Sequence, residues 1–193
     1  MTRSKSPSSL CLACLFLIVN LLAALSAPGQ HRRDPLTQAE IDQVRDASWE
    51  PQQRLTLYVK FARDRLVKLE QMRSDPKTKD RARQTHDMLD DFLLIYDELN
   101  DNLDTYVDRK DDIRKPLKIV IDADTEFQAK LLALRDAAGV SPEEAKQYEF
   151  VLSNALDTLG TSAPEHRDLL TEQAEAAKHK KLGSKEKSEG RPE

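Results

Sequence analysis

Residues 88–106 read MLDDFLLIYDELNDNLDTY and lie in the middle of a long amphipathic pattern. Large apolar residues recur three and four positions apart, which is the spacing of one face of an α-helix: Leu89, Phe92, Tyr96, Leu99, Leu103 and Tyr106. Carboxylate and amide side chains take most of the other positions. The stretch therefore predicts a helix with a continuous apolar seam, and such a seam must be covered by other helices.

The same spacing predicts the helix boundaries around this stretch. The full pattern extends over roughly residues 77–109, and a second amphipathic pattern precedes it from Pro51 to about Arg73. Asp75 and Pro76 then match the N-cap and the first position of the longer helix. Because the link between the two helices is so short, we expect them to run antiparallel, side by side.

Further helical segments flank this pair on both sides. Thr37 and Glu40 have the spacing of a capping box, and Ser141 and Glu144 have the same spacing. The predicted segments cover roughly residues 37–47, 117–138, 141–160 and 162–181, with Gly139 and Gly160 at helix ends. No stretch shows sustained strand alternation. The prediction is therefore an all-α fold, an antiparallel up-and-down helical bundle with three to four long helices plus shorter terminal helices.

The first part of the chain has the layout of a secretory signal peptide. Arg3 and Lys5 precede an almost wholly apolar run from Leu10 to Leu25, and Ser26 and Ala27 follow as small residues suited to cleavage. Cleavage after Ser26 is predicted, with cleavage after Ala27 as the second choice. An uncleaved membrane anchor is the alternative, although the apolar run is shorter than the ~20 residues that a spanning helix usually needs.

These features predict the organisation of the whole chain. It comprises a signal peptide at residues 1–26, an extended leader at 27–36, one helical-bundle domain at 37–181 and a disordered tail at 182–193. Export would place the protein in the periplasm or outside the cell. Loss of the signal peptide removes two basic residues and no acidic ones, so the formal net charge changes from −4 to −6.

Export also limits the chemistry that cysteine can supply. Both cysteines of the chain, Cys11 and Cys14, lie in the predicted signal peptide. The processed chain would therefore have no disulfide, no cysteine nucleophile and no thiolate metal site. Attachment of a lipid to Cys14 is the alternative, since the small residue Ala13 precedes it, but Cys11 takes the place of the aliphatic residue expected there.

Composition and motifs exclude several classes of function. Five glycines in 193 residues leave little for glycine-rich phosphate loops, and 30 basic against 34 acidic residues are too balanced for a dedicated nucleic-acid binder. The sequence also lacks the Gly-x-Ser-x-Gly and Cys-x-x-Cys-His motifs. We therefore expect no catalytic residues, no cofactor and no nucleic-acid partner. A hydrolase would require a concave site with two carboxyl groups about 5–9.5 Å apart.

An acidic stretch covers most of the central helix. Residues 84–108 contain eight Asp and Glu and no Lys or Arg. One interpretation is a face that binds cations or a basic partner, formed by Asp87, Asp91, Asp97, Glu98, Asp101, Asp104 and Asp108. The other is a solvated face beside the preceding helix, which carries the basic residues Arg54, Lys60, Arg63, Arg65, Lys68 and Arg73. We favour the second interpretation, because opposite charges often select neighbouring helices.

A metal site would have to use the histidine of this helix. His86 and Asp90 are four residues apart and therefore share one face. The Glu-x-x-His motifs of di-metal bundles and the His-Glu-x-x-His motif of zinc enzymes are both missing from the sequence. We therefore predict no metal site, with His86 and Asp90 as the candidate ligands if one exists.

Asp124 is unusual because it falls on the apolar seam of its helix, between Val120 and Phe127. A carboxylate that is buried without a partner costs several kcal/mol. Asp124 therefore lies either at the edge of the seam or in the core with a partner such as Arg65 or His86. A buried pair of this kind would fix the register of the helices rather than catalyse a reaction.

Residues 36–40, Leu-Thr-Gln-Ala-Glu, resemble the Leu-Thr-x-x-Gln motif of small periplasmic helical stress chaperones. Glu40 stands in place of the Gln of that motif, and the motif occurs once rather than twice. The same residues also form the predicted helix cap at Thr37. These five residues therefore do not assign the chain to that family.

The predicted function is that of an exported, non-enzymatic helical protein, acting as a binding, scaffold or chaperone-like component of the cell envelope. The alternative is a cation- or ligand-binding module that uses the acidic central helix. The predicted partner is an envelope protein or polymer, and a membrane becomes a partner only if the N-terminal segment remains uncleaved. The sequence leaves the identity of the partner and the oligomeric state open.

Overall fold

The computed structural model describes residues 34–189, with side chains described as far as Lys181. The predicted signal peptide, the cleavage positions Ser26 and Ala27 and most of the predicted leader lie outside the described residues. Of the predicted disordered tail at 182–193, residues 182–189 belong to a helix, and residues 190–193 lie outside the described residues. Within the described residues the structure contains six helices and no strand.

The six helices are, in chain order, α1 Gln38–Asp46, α2 Pro51–Ser74, α3 Arg81–Asp108, α4 Arg114–Arg135, α5 Pro142–Lys146 and α6 Glu149–Glu189. The four long helices form a bundle in which α2 contacts both α3 and α4, and α6 also contacts both. α1 packs on α2, and α5 packs on α6. The prediction of an all-α helical bundle is confirmed.

Contacts between side chains give the directions of the long helices. α2 runs antiparallel to α3, and α4 runs antiparallel to α6, as their paired contacts show: Arg54–Asn102 with Arg73–Thr85, and Asp124–His166 with Ile113–Gln173. α2 and α4 are neighbours that run parallel, as two salt bridges show: Arg63–Glu126 and Glu70–Lys130. The carboxyl ends of α2 and α4 therefore lie together at one end of the bundle.

The apolar seam predicted for the central helix is buried. It supplies the core residues of α3: Leu89, Phe92, Tyr96, Leu99, Leu103 and Tyr106. The ring of Phe92 meets the ring of Phe127 on α4 edge to face, with 5.4 Å between the ring centroids, an arrangement that aromatic pairs prefer. The helical period of the sequence therefore identified the face of α3 that carries the core.

The start of α3 differs from the prediction. The helix begins at Arg81 rather than near residue 77, and Asp75 is the C-cap of α2 instead of the N-cap of α3. The Asp75 carboxylate accepts a hydrogen bond from the backbone N–H of Lys77 at 2.9 Å. Because Asp side chains compete in this way with the helical backbone, a turn forms here and Pro76 lies outside both helices.

The predicted helix boundary at Gly160 is wrong. α6 continues through Gly160 and Pro164 as one helix from Glu149 to Glu189. Gly and Pro inside a helix cost about 1 and 3 kcal/mol relative to Ala. Leu159 and Ala163, which directly precede Gly160 and Pro164, are buried. The packing of that face outweighs the local cost, since most helical stability in proteins comes from tertiary packing.

The connection between α4 and α6 contains Gly139 and the short helix α5. α4 ends at the C-cap Asp136, so the prediction of Gly139 as the cap is wrong. Gly139 has a φ of +80°, a conformation that disfavours any residue with a side chain. Ser141 caps α5 as predicted, because its hydroxyl accepts a hydrogen bond from the backbone N–H of Glu144 at 3.2 Å.

A buried ion pair attaches α1 to α2. Thr37 and Glu40 form the predicted capping box at the start of α1. The Glu40 carboxylate also accepts hydrogen bonds from Arg65 of α2 at 2.9 and 2.6 Å, and both residues are buried. Burial opposes the charged form of Glu40, but the hydrogen bonds from Arg65 and Thr37 outweigh it and lower the pKa of Glu40 to about 2.

The substitution Glu40→Gln should destabilise the fold near neutral pH by roughly 2 kcal/mol, because the buried Arg65 loses its charged partner. The pKa of Glu40 in the folded chain lies below its ordinary value of 4.5. The contribution is therefore complete above about pH 4.5 and is lost as the pH falls toward about 2. Chemical denaturation of both proteins across this pH range measures the difference.

Glu126→Gln is the matched control for this experiment. It removes a salt bridge with Arg63 in which both side chains are more than one-third exposed. Such a pair contributes ~0–1 kcal/mol, so this variant should differ little from the wild type. A difference between Glu40→Gln and the wild type that stays constant from neutral to acidic pH would contradict the role assigned to the charged form of Glu40.

Candidate functional site

Asp124 lies in the core of the bundle rather than at the edge of its seam, and it is 1% exposed. One carboxylate oxygen accepts a hydrogen bond from the Tyr96 hydroxyl at 2.7 Å, and the other lies 2.9 Å from Nδ1 of His166. The predicted partners, Arg65 and His86, are wrong, because their side chains lie beside other carboxylates. The carboxylate is thus buried with partners that the sequence did not identify.

Polar side chains from three helices surround this carboxylate. We call them the polar network: Tyr96 and Asn100 of α3, Asp124 of α4, and Ser162 and His166 of α6. Asn100 donates a hydrogen bond to the Ser162 hydroxyl at 3.1 Å. Burial and the neighbouring Asp124 carboxylate raise the pKa of Tyr96, so the phenol remains protonated and donates its hydrogen to Asp124.

Sequence reasoning missed Ser162 and His166. They are four residues apart and share one face of α6, but their segment is mostly polar, and polar residues on such a helix usually face solvent. The signal that could have found them is Asp124 itself. A carboxylate on an apolar seam requires a buried hydrogen-bond donor, and histidine is one of the side chains that can supply it.

The polar network contains a serine, a histidine and a carboxylate, which are the residue types of a nucleophilic triad. His166 contacts Asp124 through Nδ1, as the histidine of a triad does. Ser162, however, accepts a hydrogen bond from Asn100, and all three triad-type side chains are buried. Other residues line the cavities at the end of the bundle. The network is therefore suited to holding α3, α4 and α6 in place.

A cavity of about 360 Å³ lies at the end of the bundle where α2 and α4 end. We call it the apolar cavity. Aliphatic side chains from both helices and from the following connection line it: Leu66, Leu69, Leu131, Leu134 and Val140. Small residues from α4 and that connection complete the lining: Ala133, Ala137, Ala138 and Gly139. Because these residues are small, they leave open space beside the leucines instead of filling it.

Charged side chains line the apolar cavity as well, and we call them the charged rim: Glu70, Arg73, Arg81 and Lys130. Lys130 donates hydrogen bonds to both carboxylate oxygens of Glu70 at 2.8 Å. Arg73 and Arg81 converge on Glu144 of α5, and Arg81 binds it through Nε and Nη2 at 3.0 and 2.8 Å. The bond from Arg81 is the main cause that lowers the pKa of Glu144, so this carboxylate remains charged.

A second depression, of about 560 Å³, adjoins the apolar cavity at Arg81. We call it the polar depression, because most of its lining residues are polar or charged: Pro76, Thr78, Asp80, Arg81, Ala82, Arg83, Glu144 and Gln147. Arg81 lines both spaces. Its guanidinium group therefore lies where an apolar surface and a polar surface meet.

The start of α3, beside this junction, is locally unfavourable. Asp80 has a φ of +49°, in the left-handed region that residues other than glycine seldom adopt, and its side chain makes no capping hydrogen bond. Arg81 places a cation in the first turn of α3, where the helix dipole favours an anion. Glu144 from α5 supplies the negative charge that this turn lacks. Backbone strain of this kind concentrates at functional sites.

The acidic face predicted on the central helix lies mostly in solvent. Five of its residues are exposed and two are partly buried: Asp97, Glu98, Asp101, Asp104 and Asp108, and Asp87 and Asp91. Three of the basic residues of α2 form salt bridges with helices other than α3: Arg63 with α4, Arg65 with α1 and Arg73 with α5. The acidic face as an interaction surface stays a prediction.

His86 and Asp90 do not come together with further metal ligands among the described residues. Within residues 34–181, no group of three or more His, Cys, Asp and Glu side chains is placed to hold a metal ion. The side chain of His86 lies 3.5 Å from the Asp87 carboxylate through Nδ1. Asp90 is exposed to solvent on the same helix. This pair therefore gives no support to the metal-binding form of the acidic face.

In residues 34–189, none of the helices has the length and apolarity needed to cross a membrane. Comparison with protein-family models, curated proteins and solved structures found no match for this chain. The function is therefore inferred from the apolar cavity, its charged rim and the polar network.

Asp124→Ala should lower the free energy of unfolding by roughly 3 kcal/mol, because Tyr96 and His166 lose the acceptor that satisfies them in the core. Asp122→Ala removes an exposed carboxylate from the same helix and should change stability by less than about 0.5 kcal/mol. Thermal and denaturant unfolding followed by circular dichroism measures both variants. Equal stability of Asp124→Ala and the wild type would show that the polar network does not hold the bundle together.

Proposed function

We propose that this chain is an exported, non-enzymatic binding protein of the cell envelope, and that it holds a ligand with an apolar body in the apolar cavity. Export rests on the signal-peptide layout that ends near Ser26. Binding rests on the shape and chemistry of the cavity. A scaffold or chaperone-like task in the periplasm or outside the cell would use the same surface.

The apolar cavity is the observation that carries this proposal. Its volume of about 360 Å³ falls within the range of small-molecule sites, which are mostly apolar with a few polar groups that orient the ligand. Leu134 and Val140 are only partly buried in its lining. A ligand that covers them removes apolar surface from water, which contributes roughly 25 cal/mol for each Å².

The groups around the cavity favour binding over hydrolysis. Glu70 lines the cavity, and Glu144 binds two of its lining arginines. Each carboxylate is held by cations: Glu70 by Lys130, and Glu144 by Arg73 and Arg81. A general acid or base must be free to exchange a proton with a substrate at hydrogen-bond distance. Carboxylates that are held in ion pairs stabilise the rim of a binding site and do not serve as a general acid or base.

A second candidate function is the binding of a basic partner to the acidic face of α3. Its support is the row of exposed carboxylates between Asp97 and Asp108, which covers about three helical turns. Attraction between such a face and a basic surface weakens as the salt concentration rises. We favour the apolar cavity, because it combines apolar area and a concave shape with charge.

Binding of N-phenyl-1-naphthylamine, a neutral dye whose fluorescence rises in apolar surroundings, tests the proposed function. The purified protein should bind the dye saturably. Ala133→Phe places a ring in the cavity from its lining and should weaken dye binding about tenfold, which corresponds to ~1.4 kcal/mol. Ala129→Phe is the matched control, since Ala129 is an exposed alanine one turn earlier on α4 and is not a lining residue.

Two outcomes would contradict this proposal. The first is the absence of saturable dye binding by the wild-type protein. The second is equal binding by the wild type, Ala133→Phe and Ala129→Phe, because the dye would then occupy another surface. Circular dichroism of the three proteins verifies that each is folded, so that a loss of binding by Ala133→Phe reports on the cavity and not on unfolding.

A further inference from the structure

We infer that the ligand of the apolar cavity is an anionic amphiphile, namely a single hydrocarbon chain that ends in a carboxylate. The hydrocarbon chain lies in the apolar cavity, and the carboxylate lies at Arg81, where this cavity meets the polar depression. The inference rests on the proposed function, since it names the chemical class of ligand for the same site.

The charged rim carries an excess of positive charge. The lining of the apolar cavity contains three cations and one carboxylate, which gives it a net charge of +2: Arg73, Arg81 and Lys130, and Glu70. Glu144, which binds both arginines from α5, reduces the excess to one. Charges interact more strongly beside apolar, partly buried surface than in bulk water. A ligand that brings one negative charge would therefore neutralise the site.

The two arginines retain hydrogen-bond donors for such a carboxylate. A guanidinium has five N–H donors in a planar fork that matches the two oxygens of a carboxylate. Arg81 uses Nε and Nη2 to bind Glu144, and Arg73 uses Nη1 to bind Glu144 and Thr85. The other N–H groups of Arg73 and Arg81, which both line the cavity, can donate hydrogen bonds to a second carboxylate. The contacts with Glu144 show that these two arginines can bind a carboxylate together.

The helix dipole stabilises the positive charge of only one of these two arginines. Arg73 lies in the last turn of α2, where a cation is stabilised by the helix dipole. Arg81 lies in the first turn of α3, where a cation is disfavoured and where the residue before it, Asp80, has an unfavourable backbone conformation. A ligand carboxylate would stabilise Arg81 at this position together with Glu144. Glu144 already offsets part of this charge, and a ligand carboxylate on the cavity side would offset it further.

The size and lining of the cavity favour one hydrocarbon chain. Its volume of about 360 Å³ is close to the lower end of the ~300–1,000 Å³ range of ligand pockets. A site of this size suits a single chain better than the two chains of a phospholipid. The apolar lining is aliphatic, from leucine, alanine and valine side chains, so it offers van der Waals contacts to the methylene groups of such a chain.

Competition between ten-carbon amphiphiles and bound N-phenyl-1-naphthylamine tests the inference. Decanoate, decanol and decylamine share one hydrocarbon chain and differ in the charge of the head group at neutral pH. At concentrations below micelle formation, decanoate should displace the dye from the wild-type protein at about tenfold lower concentration than decanol. Decylamine should be the weakest competitor, because the rim repels a cation.

Charge-removing variants locate the head group. Arg81→Gln removes the cation that lines both spaces and should abolish the preference for decanoate over decanol. Lys130→Gln removes a cation of the charged rim other than the two arginines. It should reduce the preference for decanoate over decanol. This variant tests the head-group position if Arg81→Gln does not fold. Lys68→Gln is the charge-matched control, since Lys68 is an exposed lysine of α2 that does not line the cavity. This control should keep the full preference.

The outcomes separate this inference from the proposed function. Equal displacement by decanoate and decanol, or stronger displacement by decylamine, would overturn the anionic head group. Dye binding that Ala133→Phe weakens would still support the cavity as a binding site. A preference for decanoate that survives in both Arg81→Gln and Lys130→Gln would overturn the position of the carboxylate. A wild-type protein that does not bind the dye saturably would overturn both proposals.

Discussion

The buried carboxylate of Asp124 imposes the strictest requirement on this bundle. Such a group costs several kcal/mol in the core unless it is hydrogen-bonded, and its two oxygens are paired with Tyr96 on α3 and His166 on α6. Apolar side chains can adapt to small shifts between helices, whereas hydrogen bonds weaken steeply when distance or angle changes. The polar network therefore selects one register of α3, α4 and α6 among those that apolar packing alone would allow.

The same register determines the open end of the bundle. Because α6 runs antiparallel to α4, the connection between them starts where α2 and α4 end. This connection contains the five-residue helix α5, which brings Glu144 to Arg73 and Arg81 but leaves the apolar cavity beside the leucines of α2 and α4. The candidate binding site is thus a consequence of how the core holds α6, although no residue of the polar network lines it.

Most of the fold could be predicted because its signals are local. The spacing of apolar residues in 88–106 identified the buried face of α3. The capping residues Thr37 and Ser141 identified the starts of two helices, and each of these caps involves only four consecutive residues. The predictions failed where a nonlocal or competing interaction outweighed propensity. Asp75 closes a turn after α2 instead of capping α3, and the packing of α6 carries that helix through Gly160.

The sequence alone determined the all-α class and the buried faces of the helices. It also identified Asp124 as a residue that needs either an exposed position or a buried partner. Tertiary structure was required to identify that partner, because His166 lies 42 residues further along the chain, and to join Arg81 to Glu144 across 63 residues. Periodicity and caps act between residues a few positions apart, whereas these contacts depend on the register in which separate helices pack. The apolar cavity follows the same rule, since it is the space that α2, α4 and their neighbouring connection leave unfilled.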